Sequence, residues 1–259
     1  MADIRITLFQ TAMAWHAPAT NRHFLEESLQ DLAGKTDLIV LPEMFTTGFS
    51  MDTAQAEVHN THTSRWLQMQ ADRLKAGIIG SVMTQDQGHF YNRLYIALPG
   101  QPMQWYNKRH LFRMAQEHQH YTAGQERLVV EYMGWRICPL VCYDLRFPVY
   151  SRNAPVAYDV VVYIANWPAK RALAWNTLLP ARAIENLCYS VGVNRVGTDG
   201  NGHPYQGDSQ AISYNGQVLK HLGPEAGHAT VSLSLAELAT YRQDFPAWQD
   251  ADLFTVSYL

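Results

Sequence analysis

The run Leu140-Val141-Cys142-Tyr143-Asp144 puts a thiol where an apolar stretch ends and a new element begins. Upstream, Arg136-Ile137-Cys138-Pro139-Leu140-Val141 reads as a strand. Downstream, Arg146-Phe147-Pro148-Val149 opens a helix, with Pro148 suited to its first turn. At the positive end of such a helix, backbone donors and the dipole favour thiolate, the form of cysteine that attacks carbon. A free cysteine is also an ordinary small core residue, so the thiol needs partners. Glu43 ends the β-type run Asp37-Leu38-Ile39-Val40-Leu41-Pro42. A carboxyl held there beside apolar walls has its pKa pushed up toward the proton-transfer range. Lys108 ends the aromatic run Gln104-Trp105-Tyr106-Asn107, where a positioned ammonium can stabilise a thiolate or an oxyanion. Taken singly, each charged residue also reads as a solvated strand end. Together they are three strand ends of complementary chemistry, and α/β folds bind ligands beyond the carboxyl ends of their strands.

The elements that must position them follow from periodicity. Ile4, Ile6 and Leu8 alternate with polar residues, so residues 4–10 form a first strand. Phe24, Leu25, Leu29 and Leu32 recur at helical spacing, with Asn21 as cap and Gly34 as stop. A second helix carries Trp66, Met69 and Leu74 and closes at Gly77. Strands follow at 78–82, 94–98 and 103–106, with a turn at Pro99-Gly100. Residues 128–132 and 136–142 pair through Met133-Gly134. In the second half, 159–165 is a buried strand, and 175–189 is a helix with Leu178, Ala181, Ile184 and Cys188 on one face. Strands at 191–196, 211–214 and 218–222 come next, the last two joined by the hairpin signal Asn215-Gly216. A strand at 230–233 and a helix at 235–243 precede an aromatic tail.

Bulk properties bound the class. The chain has 259 residues, 47% of them hydrophobic, and no linker or composition break divides it, so one domain with a sizeable core is expected. Twenty Lys and Arg against 23 Asp and Glu give a net charge of −3, with nothing to suggest nucleic acid or an anionic membrane as partner. Three cysteines, Cys138, Cys142 and Cys188, make no disulfide framework, and Met1-Ala2-Asp3-Ile4 runs straight into a strand without a signal segment. No apolar run approaches the roughly 18 residues of a membrane span. A cytoplasmic location is the expectation.

The segments Leu41-Pro42-Glu43, Lys108-Arg109-His110-Leu111-Phe112 and Cys142-Tyr143-Asp144-Leu145-Arg146-Phe147 together resemble the nitrilase superfamily of carbon–nitrogen hydrolases. Within it the chain is most similar to the ω-amidase branch, in order and along nearly its whole length. Strands, hairpins and helices in this order suit a sandwich or a three-layer fold; the resemblance implies the four-layer αββα sandwich, in one domain spanning 1–259, and a homodimer. It implies Glu43 as general base and acid, Lys108 as electrostatic stabiliser and Cys142 as nucleophile. Glu117, in Met114-Ala115-Gln116-Glu117-His118, matches a second glutamate that orients the triad. The backbone N–H of Tyr143 joins Lys108 at the oxyanion. Arg146 matches an arginine that holds a substrate carboxylate, a task suited to a guanidinium fork, although pairing with Asp144 or capping is its plain alternative. Asn166 and Trp167, at the end of the next buried strand, are expected to line the same crevice. Their Asn166-Trp167-Pro168 departs from the segment common in the eukaryotic members.

The activity implied is hydrolysis of a small dicarboxylic acid monoamide, such as 2-oxoglutaramate or 2-oxosuccinamate, with no cofactor. A carbamoyl-amine hydrolase or deaminated-peptide amidase would share every catalytic residue, and a binding module that kept the fold is a third reading. No metal is expected: His110, Glu117, His118 and His120 lack zinc-site spacing. Gly207-Asp208-Ser209 lacks the Gly-x-Ser-x-Gly elbow, and Asp199-Gly200-Asn201-Gly202 reads as a tight turn. The tail from about 244 to 259, with Phe245-Pro246-Ala247-Trp248, is expected to dock on the domain or its twin.

Overall fold

The structure is a computed structural model and describes residues 3–252 and 254–256. The first half runs β1 (Ile4–Gln10), α1 (Pro18–Ser28), β2 (Leu38–Val40), β3 (Glu57–Val58), α2 (His62–Leu74), β4 (Gly77–Asp86), β5 (His89–Ala97), β6 (Gln104–Asn107) and the single turn α3 (Glu117–His120). The second half begins with β7 (Val130–Tyr132), β8 (Trp135–Val141), the single turn α4 (Pro148–Ser151), β9 (Val160–Ala165), α5 (Ala172–Asn186) and β10 (Tyr189–Asn194). It ends with β11 (Val196–Thr198), β12 (Pro204–Gln206), β13 (Gln210–Ile212), β14 (Val218–His221), β15 (Gly227–Leu233) and α6 (Leu235–Asp244).

Two sheets result. One has the order β15-β1-β2-β4-β5-β6 with β3 beside β4, and the other the order β14-β13-β10-β9-β8-β7. In each, three central strands run parallel and antiparallel strands flank them on both sides. The period of two then sorts side chains into layers. Ile4, Ile6, Leu8, Leu38, Val40 and Ile79 point between the sheets, where they meet Ile137, Val160, Val162 and Val191. Ile39, Ile78 and Val82 point outward, under Leu25, Leu29, Trp66, Leu67 and Leu74 of the α1 and α2 layer. That is why Leu38-Ile39-Val40 is apolar throughout: central parallel strands are covered on both faces. On the other side α5 lays Trp175, Leu179 and Ala183 on the second sheet. Each such burial contributes about 1.5–3 kcal/mol. The αββα sandwich expected from the sequence is the observed architecture.

Local details differ from the sequence reading. Pro18 opens α1, and Asn21 sits buried inside it, bonding Ala14 and Thr46 rather than capping. Lys75, in the left-handed region, ends α2, and Gly77 already begins β4. The face of α5 is rotated: Ile184 is exposed, while Trp175, Leu179, Arg182, Ala183 and Asn186 are buried. Polar Arg182 and Asn186 hid that face, because they are buried to bond Leu145 and Asn153. The strand expected at 191–196 breaks at Arg195, between β10 and β11. The tail runs from a 3₁₀ turn at Ala247–Asp250 to a groove that Asp252, Phe254 and Val256 share with Val149, Tyr150 and Pro155. Phe245, Trp248 and Phe254 stay exposed; Leu253 and Ser257 to Leu259 lie outside the described residues. Among the described residues no helix is long and apolar enough to cross a membrane.

Candidate active site

The loop after β2 carries Glu43 to the seam between the sheets. It lies flat on β4, where Met44 N–H donates to Ser81 Oγ at 2.8 Å and Phe45 N–H to the Ser81 carbonyl at 3.2 Å. Gly80 permits this approach, since a Cβ there would come 2.8 Å from the Phe45 ring. The loop after β6 delivers Lys108, whose N–H donates to the Asn92 carbonyl at 3.0 Å. Cys142 begins a 3₁₀ turn, Cys142–Arg146, directly after β8. Its φ of 45° and that of Met44 at 42° are left-handed conformations that such side chains rarely adopt. Strain of this kind persists where surrounding contacts enforce it, and it clusters at active sites.

These side chains converge. Lys108 Nζ donates to Glu43 Oε1 at 2.9 Å and to Glu117 Oε1 and Oε2 at 3.1 and 3.0 Å. Asn92 Nδ2 bridges the same carboxylates, donating to Glu43 at 2.8 Å and to Glu117 at 3.3 Å. Phe112 N–H donates to Glu117 Oε2 at 2.5 Å. From the second sheet, Asn166 N–H donates to Glu43 Oε2 at 2.8 Å and its side-chain amide to the Glu43 carbonyl. The Asn166 carbonyl lies 3.9 Å from Cys142 Sγ. Glu43, Lys108 and Glu117 are all buried, and Cys142 is 9% exposed at the base of a cavity of about 540 Å³.

The electrostatics follow from this packing. Burial alone would depress the Lys108 ammonium, but the carboxylates of Glu117 and Glu43 overcome it and hold the proton on. Burial raises Glu117, with Glu43 adding to the rise and Lys108 opposing it. Burial also pushes the Cys142 thiol well up, and neighbouring Glu43 pushes it further against the pull of Lys108. This corrects the expectation of a thiolate. The element after Cys142 is a single 3₁₀ turn rather than a long helix, and its donors do not offset desolvation beside a carboxylate. Cys142 is held as a thiol, with the carboxyl group of Glu43 beside it.

Tyr143 and Arg146 line the cavity, as do Asn166 and Trp167. Arg146 does not pair with Asp144. Its guanidinium lies over the Trp167 ring, 5.0 Å from the centroid. Asp144 instead accepts from Tyr106 OH at 2.8 Å, His110 N–H at 2.9 Å and Val141 N–H at 3.0 Å, with His110 Nδ1 2.7 Å away. It ties the lysine loop to the cysteine turn. Asn166, expected at the substrate, makes its contacts to Glu43. Trp167 supports two arginines: its Nε1–H donates to the Arg171 carbonyl at 2.8 Å. Asn92 and Asp144 were missed as positioning residues, because neither ends an apolar run; only the juxtaposition of β5, β6 and β8 shows their roles. Ser209 bonds Asn194 in the core, and Asp199 accepts from Asn201 N–H and His203 N–H, forming the turn expected there.

With this geometry in view, the chain belongs to the carbon–nitrogen hydrolase family, whose profile matches residues 5–243. It is similar to an ω-amidase of Escherichia coli K12, at 49% identity covering 98% of this chain and 99% of the relative. A 2-oxoglutaramate amidase of Bacillus subtilis is 32% identical, over 95% of this chain and 96% of that one. Among solved structures, a CN-hydrolase superfamily protein of Xanthomonas campestris, described with an arsenic adduct in its active site, superposes with a TM-score of 0.97. It is 48% identical, covering 99% of this chain and 100% of its own.

Proposed function

We propose that this protein is an ω-amidase, which cleaves the terminal amide of small dicarboxylic acid monoamides of the 2-oxoglutaramate or 2-oxosuccinamate type. The observation that carries the reading is the Glu43–Lys108–Glu117 cluster set against Cys142, in a cavity that also presents Arg146. In the first step Cys142 Sγ attacks the amide carbon while Glu43 takes the thiol proton, so the raised thiol is activated only with substrate in place. The tetrahedral oxyanion is held by the Lys108 ammonium and the Tyr143 N–H. Glu43 passes its proton to the departing nitrogen, ammonia leaves, and a thioester remains on Cys142. Water then loses a proton to Glu43, attacks the thioester carbon and releases the dicarboxylate; that proton returns to sulfur. Glu117 and Asn92 hold Lys108 and Glu43 in register throughout. Arg146 receives the substrate carboxylate, and Asn166 and Trp167 form the wall beside it.

We also infer a cytoplasmic homodimer. Support comes from three free, buried cysteines and from the large apolar side chains left exposed on one protomer, Leu173, Ile184 and Val149 on and before α5 and Phe254 of the tail. The substrate assignment is tested by ammonia release from a panel: 2-oxoglutaramate, 2-oxosuccinamate, an N-carbamoyl amine, a deaminated-peptide amide and propionamide. The 2-oxo acid monoamides should give the highest kcat/KM. Preference for the carbamoyl amine or the peptide amide would move the protein to a sister specificity, and no ammonia from any would leave a binding module.

A further inference from the structure

The cavity holds a second guanidinium that the mechanism leaves unused. Arg171 is the last residue of the 3₁₀ turn Ala169–Arg171 and stands at the head of α5, on the cavity wall. Its carbonyl is pinned by Trp167 Nε1–H at 2.8 Å, and its guanidinium lies over the Phe112 ring, 5.1 Å from the centroid. Its Nη2 donates to Met114 Sδ at 2.9 Å. A thioether is a weak acceptor, so the fork keeps most of its donor capacity for something better. Met114 is 73% exposed, which puts this end of Arg171 at the mouth, away from Cys142 at the base. One indole therefore organises two cations. Arg146 lies over the Trp167 ring, while the Trp167 N–H sets the backbone of Arg171. Among the described residues neither guanidinium has a carboxylate partner.

We propose that Arg171 is a second anion-recognising residue, and that with Arg146 it selects a 2-oxo acid over the corresponding α-amino acid. The proposal rests on the ω-amidase reading and deepens it. A 2-oxo acid presents a carboxylate and a carbonyl oxygen side by side, all acceptors, and two forks can donate to them together. Glutamine has the same length and the same amide but carries an ammonium where the oxo group would be. That ammonium offers donors to donors and meets two positive charges. Two carboxylates besides Glu43 line the cavity, and their hydrogen bonds hold them to their own turns rather than to either guanidinium. Asp199 accepts from Asn201 N–H, His203 N–H and Tyr205 OH, and Asp52 accepts from Ala54 N–H and Gln55 Nε2. Lys170 beside Arg171 adds a further, exposed cation, and His16 and His203 complete the titratable wall.

The test compares kcat/KM for 2-oxoglutaramate, glutaric acid monoamide and glutamine in the wild type and in Arg171→Gln, Arg171→Lys and Arg146→Ala. In Arg171→Gln the 2-oxoglutaramate to glutamine ratio should fall at least tenfold, with glutaric acid monoamide affected less than 2-oxoglutaramate. Arg171→Lys should recover part of that ratio. Arg146→Ala should lower all three substrates, since each carries a carboxylate, which separates carboxylate binding from oxo selection. An unchanged ratio in Arg171→Gln, or equal losses on all three substrates, would overturn the role given to Arg171 while leaving the amidase reading in place. Wild-type enzyme that fails to hydrolyse 2-oxoglutaramate at all would remove the amidase reading itself, and the proposal with it.

Discussion

At the scale of residues, the site works by keeping opposite tendencies in one buried cluster. Desolvation favours neutral groups, yet Lys108 stays charged because two carboxylates face it. Cys142 stays protonated because burial disfavours thiolate and the carboxylate of Glu43 adds to that. The proposed chemistry therefore depends on Glu43 accepting a proton when an electrophile arrives. Glu43→Gln keeps the shape and removes the base, and kcat should fall by about 10²–10⁴-fold, the usual contribution of general acid–base catalysis, with KM little changed. The same variant should slow alkylation of Cys142 by iodoacetamide, measured as labelled peptide against time. Cys138 and Cys188 should stay unlabelled in the folded protein, being fully buried, with the Cys138 thiol pushed up to about 12. Near wild-type turnover in Glu43→Gln would transfer the base role to Glu117. The three motif residues were legible in the sequence because each terminates an apolar run. The thiol's protonation state was not, because it depends on how close a carboxylate comes from 99 residues away along the chain, and a strand reading carries no such distance.

Elements decide whether those residues meet. Glu43 is placed by its loop's fit to β4, and that fit depends on Gly80 having no side chain: an added Cβ would press on Phe45 at 2.8 Å, and Phe45 is fully buried. Gly80→Ala should cost about 1–3 kcal/mol in urea unfolding, as overpacking does, and should lower kcat more than it raises KM because it displaces the base. Wild-type kcat with unchanged stability would mean the loop rests on other contacts. Alternation of apolar residues gave away β1, whereas β2 and β4 are continuous apolar runs whose two faces only the strand register separates. The α5 helix was misread at its face for a physical reason. Arg182 and Asn186 are buried by hydrogen bonds to Leu145 and Asn153, so polarity failed as a guide there. Asn92 and Asp144 escaped for a related reason: they sit within β5 and just past β8 as cross-links, and pairing partners far apart in sequence are visible only once strands are registered.

The whole molecule is a junction of two half-structures, with Glu43 and Lys108 from one sheet and Cys142 and Asn166 from the other. The second sheet is tied to its last helix by Asp159, which accepts from Arg136 Nε and Nη2 and from Arg242 Nη1 at 3.0, 2.7 and 2.7 Å. Burial opposes the charge on Asp159, but hydrogen bonds from Arg136 and Arg242 outweigh it and hold the carboxyl below its ordinary 3.8. Hydrogen bonding to Arg5 does the same for Asp37 in the first sheet. A carboxyl lowered on folding contributes stability that is complete above its unfolded pKa and is lost as pH falls through the folded one. Stability should therefore drop as pH falls below about 3.8. Asp159→Asn should lose about 3 kcal/mol at neutral pH, the cost of breaking a buried pair, and show a shallower acid dependence by thermal melts. Equal acid dependence in the two proteins would place the sensitivity elsewhere. The layered sandwich was legible in the sequence through its motifs; the seam where the sheets meet was not, since no single segment spans it. The central claim is that this seam makes Cys142 an acyl carrier. Rapid acid quench of the enzyme turning over 2-oxoglutaramate, followed by peptide mass analysis, should find the acyl group on the Cys142 peptide and none after Cys142→Ala, which should also release no ammonia. Continued ammonia release by Cys142→Ala, or an acyl group on another residue, would contradict the account.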